Sequence, residues 1–182
     1  LLIISFYSYA EDDHHNHDHS HDHTNKEHSK KDKKSPDAHV HGVSVLNIVQ
    51  DMKQLSFEFE MPGFDVVGFE YKAKKKEDIK KVRNAINILG DYKNMIYVPA
   101  GANCKEEKNT AKVINEGSHS EFISQYLLSC EKLSSIKTIE IKYFDSFQFS
   151  KELNINLIAK NKKLTQTINK QDNIINVDGY FN

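Results

Sequence analysis

Histidine is the residue type whose placement in this chain points most directly to chemistry. The chain has ten histidines, and seven of them fall in one N-terminal stretch: His14, His15, His17, His19, His21, His23 and His28. Much of this stretch alternates histidine with small polar residues, so in an extended backbone alternate imidazoles project to one side, about 6.5–7 Å apart. Neutral imidazole nitrogen and carboxylate oxygen both bind Zn²⁺, and Asp18 and Asp22 lie among these histidines. The stretch therefore predicts a chelating segment that holds several divalent ions through changing sets of ligands.

Three other interpretations of the stretch compete with metal binding. An expression tag would normally be an unbroken run of histidine, and a merely solvated tail would not concentrate so many imidazoles. A tail that responds to pH is physically possible, because the ordinary pKa of histidine is about 6.5. Metal binding is the interpretation that we favour.

A second group of histidines lies further along the chain. His39 and His41 stand two residues apart in a His-Val-His-Gly sequence at the entry to a predicted strand, where both imidazoles point to one side as a bidentate chelate. The alternative is a pair of surface histidines without a role. His119 begins another predicted strand; a lone histidine is more often structural, but together with Glu121 it could complete a site begun by His39 and His41.

The chain divides into three predicted parts. Residues 1–10 resemble the end of a secretory signal peptide cleaved after Ala10, the alternative being a short buried strand. Residues 11–37 contain no Val, Ile, Leu, Phe or Met and predict a disordered segment. Residues 38–182 predict one folded domain. No stretch approaches the roughly 20 apolar residues that cross a membrane, so we expect no membrane insertion of the mature chain.

The folded domain is predicted as α+β, a mostly antiparallel sheet with one main helix. Helical spacing of apolar residues places the helix at Lys76–Leu89, with Gly90 at its C-terminal end. Alternation and β-branched runs predict strands over Val43–Val49, Leu55–Met61, Ala111–Asn115, His119–Cys130, Thr138–Phe144, Asn154–Lys160 and Lys163–Ile168. Met95–Val98 is a short apolar run that Pro99 and Gly101 stop. Short links predict two hairpins, one through residues 50–53 and one through Asn161 and Lys162.

Composition and cysteine count narrow the classes of function. With 25 basic and 26 acidic residues the formal charge is −1, which argues against bulk nucleic-acid binding. Two cysteines, Cys104 and Cys130, favour one disulfide in an exported protein; a pair of metal ligands is the alternative, although no CxxC spacing supports it. No HExxH, GxSxG, P-loop or GxGxxG motif occurs, so we expect no enzyme activity.

Four motifs in order carry a resemblance to a known family. They are HVHGV at 39–43, VGFE at 67–70, PAGANC at 99–104, and SHSEF at 118–122 followed by Tyr126 and Cys130. Together they resemble the ZrgA-like family, periplasmic zinc-binding proteins encoded with components of ABC-type zinc uptake systems. The resemblance covers about residues 38–177.

The resemblance implies a periplasmic location, the disulfide Cys104–Cys130, a zinc site that uses the histidines of the HVHG motif, and a variable His-rich segment like residues 14–28. His119 matches the family pattern. Relatives tend to carry histidine after Gly-Phe-Glu, where Tyr71 stands here, so a ligand at that position would be lost or replaced.

These observations lead to one main functional hypothesis, a periplasmic accessory protein that captures Zn²⁺ and supports its import by an ABC-type transporter. The alternative is a periplasmic metal buffer or storage protein without a transporter partner. Cu²⁺ and Ni²⁺ also bind imidazole, so the choice of zinc over other divalent transition metals depends on the family resemblance and on the carboxylate-rich ligand mixture.

Overall fold

The computed structural model describes residues 40–181 of the chain. The predicted signal peptide, the predicted disordered segment and His39 lie outside these residues. The strands within the described part are β1 (Val43–Asp51), β2 (Gln54–Pro62), β3 (Ile96–Tyr97), β4 (Cys104–Glu116), β5 (His119–Cys130), β6 (Thr138–Ile141), β7 (Glu152–Ala159), β8 (Lys162–Asn169) and β9 (Ile174–Asn176). The α-helices are α1 (Gly63–Val67), α2 (Lys76–Leu89) and α3 (Tyr143–Ser146).

Six strands form the main sheet in the order β4-β5-β2-β1-β7-β8. Neighbouring strands run antiparallel, with the exception of β1 and β7, which are parallel. Within the described residues, β3, β6 and β9 form a second, antiparallel sheet of three strands. The predicted sheet-rich α+β class therefore agrees with the structure, as does the mostly antiparallel pairing.

Period-two alternation along the central strands decides which face of the main sheet is buried. In β2, Leu55, Phe57, Phe59 and Met61 are fully buried, whereas the intervening residues are partly exposed. The same alternation buries Leu46 and Ile48 of β1, Phe122, Tyr126 and Leu128 of β5, and Leu153, Ile155 and Leu157 of β7. Burial of these side chains, at about 1.5–3 kcal/mol each, is the main force that sets the register of the sheet.

Helix α2 has the bounds that its apolar spacing predicts. Ala85 and Leu89 are buried, and the Tyr126 hydroxyl of β5 donates to the Leu89 carbonyl oxygen at 2.7 Å. This bond satisfies one of the carbonyl groups that a helix end leaves free. Gly90 follows with φ −75°, in the right-handed region rather than the left-handed conformation common after helices.

Two strand predictions differ from the structure. The strand predicted over Thr138–Phe144 ends at Ile141, and the apolar residues that continue it, Tyr143 and Phe144, form α3 and point into the core. The strand predicted over Ala111–Asn115 is the part of the longer edge strand β4 that lies next to the β4–β5 turn. The apolar run Met95–Val98 contains the two-residue strand β3.

Turns and short elements account for the remaining differences. The second hairpin turns through Lys160 and Asn161, one residue earlier than predicted, with Lys160 at φ 47°. Helix α1 and strand β9 have no counterpart in the predicted elements, because five and three residues are too few to show a period. Helix α1 nevertheless leads directly from β2 to the residues described next.

Candidate metal centre

Glu70 holds two histidines that lie far apart in the sequence. Its Oε1 accepts from His41 Nε2 at 3.0 Å, and its Oε2 accepts from His119 Nδ1 at 2.6 Å. The Glu70 side chain is only 12% exposed, whereas the two imidazoles are 54% and 64% exposed. We call these three residues the Glu70 cluster: a mostly buried carboxylate whose two oxygens each accept from one solvent-accessible imidazole.

His41 is fixed by its ring and by the residue that follows it. The imidazole stacks on Phe64 of α1, with ring centroids 4.7 Å apart and planes 13° from parallel. Gly42 has φ +90°, a conformation that side-chain-bearing residues rarely adopt. Its N–H donates to Asp65 Oδ1 at 2.6 Å, and its carbonyl oxygen accepts from the backbone N–H groups of Lys151 and Glu152 at 2.8 Å each.

Glu70 lies just beyond the C-terminal end of α1. Gly68 ends the helix in the left-handed conformation (φ 82°), and its N–H donates to the Phe64 carbonyl oxygen at 2.9 Å. A side chain at Gly68 would also meet the Phe149 ring, whose nearest atom lies 2.9 Å from the position of a Cβ. The turn that presents Glu70 therefore requires glycine for two reasons, backbone conformation and space.

His119 is the first residue of β5 and pairs with Glu116 across the β4–β5 hairpin. Gly117 at the hairpin turn has φ +59°. The next residue, Ser120, is buried, and α1 approaches it so closely that a Cβ on Gly63 would lie 2.0 Å from its Oγ. The position of His119 relative to α1 thus depends on the absence of a side chain at Gly63.

The charge of Glu70 follows from its partners. Burial raises the pKa of Glu70, but hydrogen bonds from His119 and His41 and the positive charge of these groups when protonated outweigh burial, so the pKa lies below its ordinary value of 4.5. Glu70 is therefore a carboxylate at neutral pH. A carboxylate that accepts from two imidazoles also orients both rings.

The donor types of the Glu70 cluster, two imidazole nitrogens and a carboxylate oxygen, match the ligands that Zn²⁺ takes in proteins. Within residues 40–181, however, no group of three or more His, Cys, Asp or Glu side chains is already arranged to hold a metal ion. The nitrogens that face Glu70 take part in hydrogen bonds. To ligate through them, each imidazole would shift its proton to the other ring nitrogen or lose it.

The predicted site residues fall into two groups. His14, His15, His17, His19, His21, His23, His28 and His39 lie outside the described residues, and their role as metal ligands stays a prediction. His41 and His119 are brought together by Glu70. Sequence reasoning did not select Glu70 as a site residue; the signal available was its place in the Gly-Phe-Glu motif, two residues after the glycine that ends α1.

Tyr71 and Glu121, two further candidates for the site, interact with other residues. The Tyr71 hydroxyl donates to Asp78 of α2 at 3.0 Å, and this bond raises the pKa of Tyr71. The Tyr71 ring stacks on Phe69 at 4.6 Å. The negative charge of Glu121 helps to raise the pKa of Glu60 on the neighbouring strand.

The two cysteines form the predicted disulfide, Cys104–Cys130. They are a directly opposed pair at the open end of the β4–β5 hairpin, and His119 lies at its turn. The alternative that the cysteines serve as metal ligands is therefore wrong for this fold.

Comparison with known families assigns the chain. The family model described as "ZrgA family zinc uptake protein" matches residues 38–177, which is nearly all of the described part. The chain belongs to the ZrgA family, and it is therefore a protein associated with zinc uptake. No curated protein matches the chain. In the described residues, no helix has the length and apolar character needed to cross a membrane.

Proposed function

We propose that this chain captures Zn²⁺ in the periplasm and supports its import by an ABC-type transporter, with the Glu70 cluster as the zinc site of the folded domain. The observation that carries the proposal is the contact of one carboxylate with two imidazoles from separate segments, His41 before β1 and His119 at the start of β5. Membership of a zinc uptake family supports zinc as the metal.

The exposure of the cluster suits capture and release rather than permanent retention. Both imidazoles are more than half exposed, so zinc and competing ligands reach them directly. Structural zinc sites, by contrast, have four protein ligands and are closed to solvent. A cluster that supplies three donors leaves a coordination position for water, for His39, or for a group on the receiving protein.

Binding replaces the two hydrogen bonds to Glu70 by bonds to the metal. The imidazoles then ligate through nitrogen and Glu70 through oxygen. In the metal-free protein two imidazole N–H groups stabilise the Glu70 carboxylate, and in the zinc complex the metal takes over that role. Because protons compete with zinc for all three groups, affinity falls as pH decreases. The predicted His-rich segment would raise the local supply of zinc.

The disulfide supports an exported location, because disulfides persist in oxidising compartments such as the periplasm. We further propose that the protein binds and transfers metal and has no enzyme activity. A buffering role without a transporter is the alternative, and expression separates the two: zinc starvation should induce an import factor, and zinc excess should induce a buffer.

The zinc site is tested in the full chain with the seven histidines at 14–28 replaced by glutamine, so that the folded domain is measured alone. Isothermal titration should show that His41→Ala, His119→Ala and Glu70→Gln each weaken Zn²⁺ binding at least tenfold, about 1.4 kcal/mol. Glu131→Gln, an exposed glutamate beyond the opposite end of β5, is the matched control and should leave affinity unchanged. Unchanged affinity in all three cluster variants would refute the site.

The role in import is tested in cells of the source organism that lack the protein. Growth in zinc-depleted medium should be restored by the native chain and less well by the Glu70→Gln chain. Equal growth of the deletion strain and the parent under zinc starvation would contradict a role in import and favour the buffering alternative.

A further inference from the structure

Helix α1 contacts all three segments that supply the Glu70 cluster. Gly63 at its start packs against Ser120, the neighbour of His119. Asp65 in its middle accepts from the N–H of Gly42, the neighbour of His41. Its end leads through Gly68 to Glu70. The five-residue helix α1 thus sets where the two imidazoles and the carboxylate lie relative to one another.

Asp65 is the polar contact in this arrangement. The residue is fully buried, with Oδ1 accepting from Gly42 N–H at 2.6 Å and Oδ2 accepting from the Ser44 hydroxyl at 2.8 Å. The Ser44 hydroxyl also lies 2.8 Å from the hydroxyl of Tyr143, which is itself fully buried. Each oxygen of the Asp65 carboxyl group therefore contacts one of the first residues after His41.

A buried carboxylate at this place costs stability. Burial raises the pKa of Asp65, and the hydrogen bonds from Gly42 and Ser44, together with the charge of His41 when protonated, offset this only in part. Well-packed apolar residues are often no worse for stability than buried charged groups. What Asp65 provides is an acceptor for the Gly42 N–H while Gly42 holds φ +90°.

We propose that Asp65 is a positioning residue of the zinc site: through Gly42 it holds His41 where the Glu70 carboxylate and His119 can share one metal ion with it. This inference rests on the proposed function. Asp65 does not touch the metal. Its effect is to fix the backbone of the segment that carries His41, which is also held by the stacking of the imidazole on Phe64.

The test compares Asp65→Ala, Asp65→Asn and Tyr143→Phe in the full chain with the seven histidines at 14–28 replaced by glutamine. Tyr143→Phe is the matched control, because it removes a hydroxyl from the same buried network but leaves both Asp65 bonds in place. Each variant is titrated with Zn²⁺ and, separately, with Co²⁺, whose visible absorption reports coordination geometry. Melting temperatures of the metal-free variants are measured alongside.

Asp65→Ala should weaken zinc binding at least tenfold and change the Co²⁺ spectrum. Asp65→Asn keeps an oxygen that can accept from Gly42 and should lose less affinity than Asp65→Ala. Tyr143→Phe should lower the melting temperature but retain the affinity and the Co²⁺ spectrum of the parent. A folded Asp65→Ala variant with parental zinc affinity would overturn the inference.

Two further outcomes separate this inference from the proposed function. If Asp65→Ala does not fold, Asp65→Leu, which is close in size but has no acceptor for the Gly42 N–H, is titrated in its place, and parental affinity in that variant refutes positioning. If Glu70→Gln binds zinc as tightly as the parent, the site itself is wrong and both proposals fall. Loss of binding in Glu70→Gln with parental binding in Asp65→Ala refutes only the role of Asp65.

Discussion

At the scale of single residues, the carboxylates of the folded domain differ in what surrounds them. Glu70 faces two imidazoles, which lower its pKa, whereas Glu60 of β2 is surrounded by other acids. Partial burial raises the pKa of Glu60, and the negative charges of Glu121 and Glu58 raise it further. An acid whose pKa is raised in the folded state favours folding when protonated and opposes it when ionised.

Glu60→Gln should therefore stabilise the protein at pH 7. The stability that protonated Glu60 contributes is present below its unfolded pKa near 4.5 and is lost as pH rises through the higher folded value. The hydrogen bond from Asn47 Nδ2, 3.1 Å from Glu60 Oε1, can be kept by the glutamine oxygen. Because water screens a partly exposed group, we expect a gain of less than about 1 kcal/mol.

Urea unfolding at pH 7 and at pH 4 measures this effect. The gain from Glu60→Gln should shrink toward zero at pH 4, while Glu152→Gln, an exposed glutamate of β7, serves as the control at both values. A variant that is less stable than the parent by the same amount at both pH values would show that the acidic neighbours of Glu60 do not act on it.

Two of the three residues of the Glu70 cluster could be predicted from the sequence. His41 and His119 stand out because histidine is rare in the described residues and both lie at predicted strand starts. Glu70 is one of 26 acidic residues in the 182-residue chain, and only its place in the VGFE motif marks it, which does not by itself indicate a contact with histidine. Its role follows from the end of α1 and from the β4–β5 hairpin, which are tertiary features.

At the scale of elements, the predictable parts are those with a period. Strands β2 and β5 and helix α2 show alternation or helical spacing over nine or more residues, and their bounds agree closely with prediction. The first half of β4 consists of charged residues without alternation, so nothing local marks it as a strand. It forms because its backbone pairs with β5 and because the disulfide Cys104–Cys130 holds its first residue against the last residue of β5.

The disulfide should contribute to stability without affecting the metal site. Replacing both Cys104 and Cys130 by alanine opens a loop with a sequence separation of 26 residues, which costs about 3–4 kcal/mol in the chain-entropy model. Thermal unfolding measures the loss. Zinc affinity should be retained, because Glu70 lies outside the loop and His119 sits at its opposite end; a parallel loss of affinity would show that the hairpin needs the disulfide to present His119.

Alanine substitutions at Gly63 and at Gly117 form a matched pair that tests whether the zinc site depends on the position of α1. Gly63→Ala places a Cβ 2.0 Å from Ser120 Oγ and should displace α1 and weaken zinc binding. Gly117→Ala meets nothing within 4 Å and has only the cost of φ +59°, about 1 kcal/mol. Titration of both variants should show a larger loss for Gly63→Ala, and an equal loss would contradict the dependence of the site on α1.

At the scale of the whole molecule, the chain combines a proposed zinc site in the folded domain with a predicted chelating segment. The 32 buried hydrophobic residues of the described part form one cluster. Residues 11–37 contain none of the large aliphatic residues or phenylalanine, so we expect them to add nothing to a core. Removing the N-terminal histidines should therefore lower the number of zinc ions bound without changing the stability of the folded domain.

Stoichiometry tests this expectation. The full chain should bind more than one Zn²⁺, and the chain with the seven histidines at 14–28 replaced by glutamine should bind about one, as counted by calorimetry or elemental analysis. The melting temperatures of the two metal-free proteins should agree. The same stoichiometry in both would remove the N-terminal histidines from the mechanism.

The most direct test of the account is a crystal structure of the chain with zinc, with data collected at the zinc absorption edge to locate the metal by its anomalous signal. We predict a peak about 2.0–2.2 Å from a nitrogen of His41, a nitrogen of His119 and an oxygen of Glu70. A zinc ion bound elsewhere, with both imidazoles still donating to Glu70, would contradict the account.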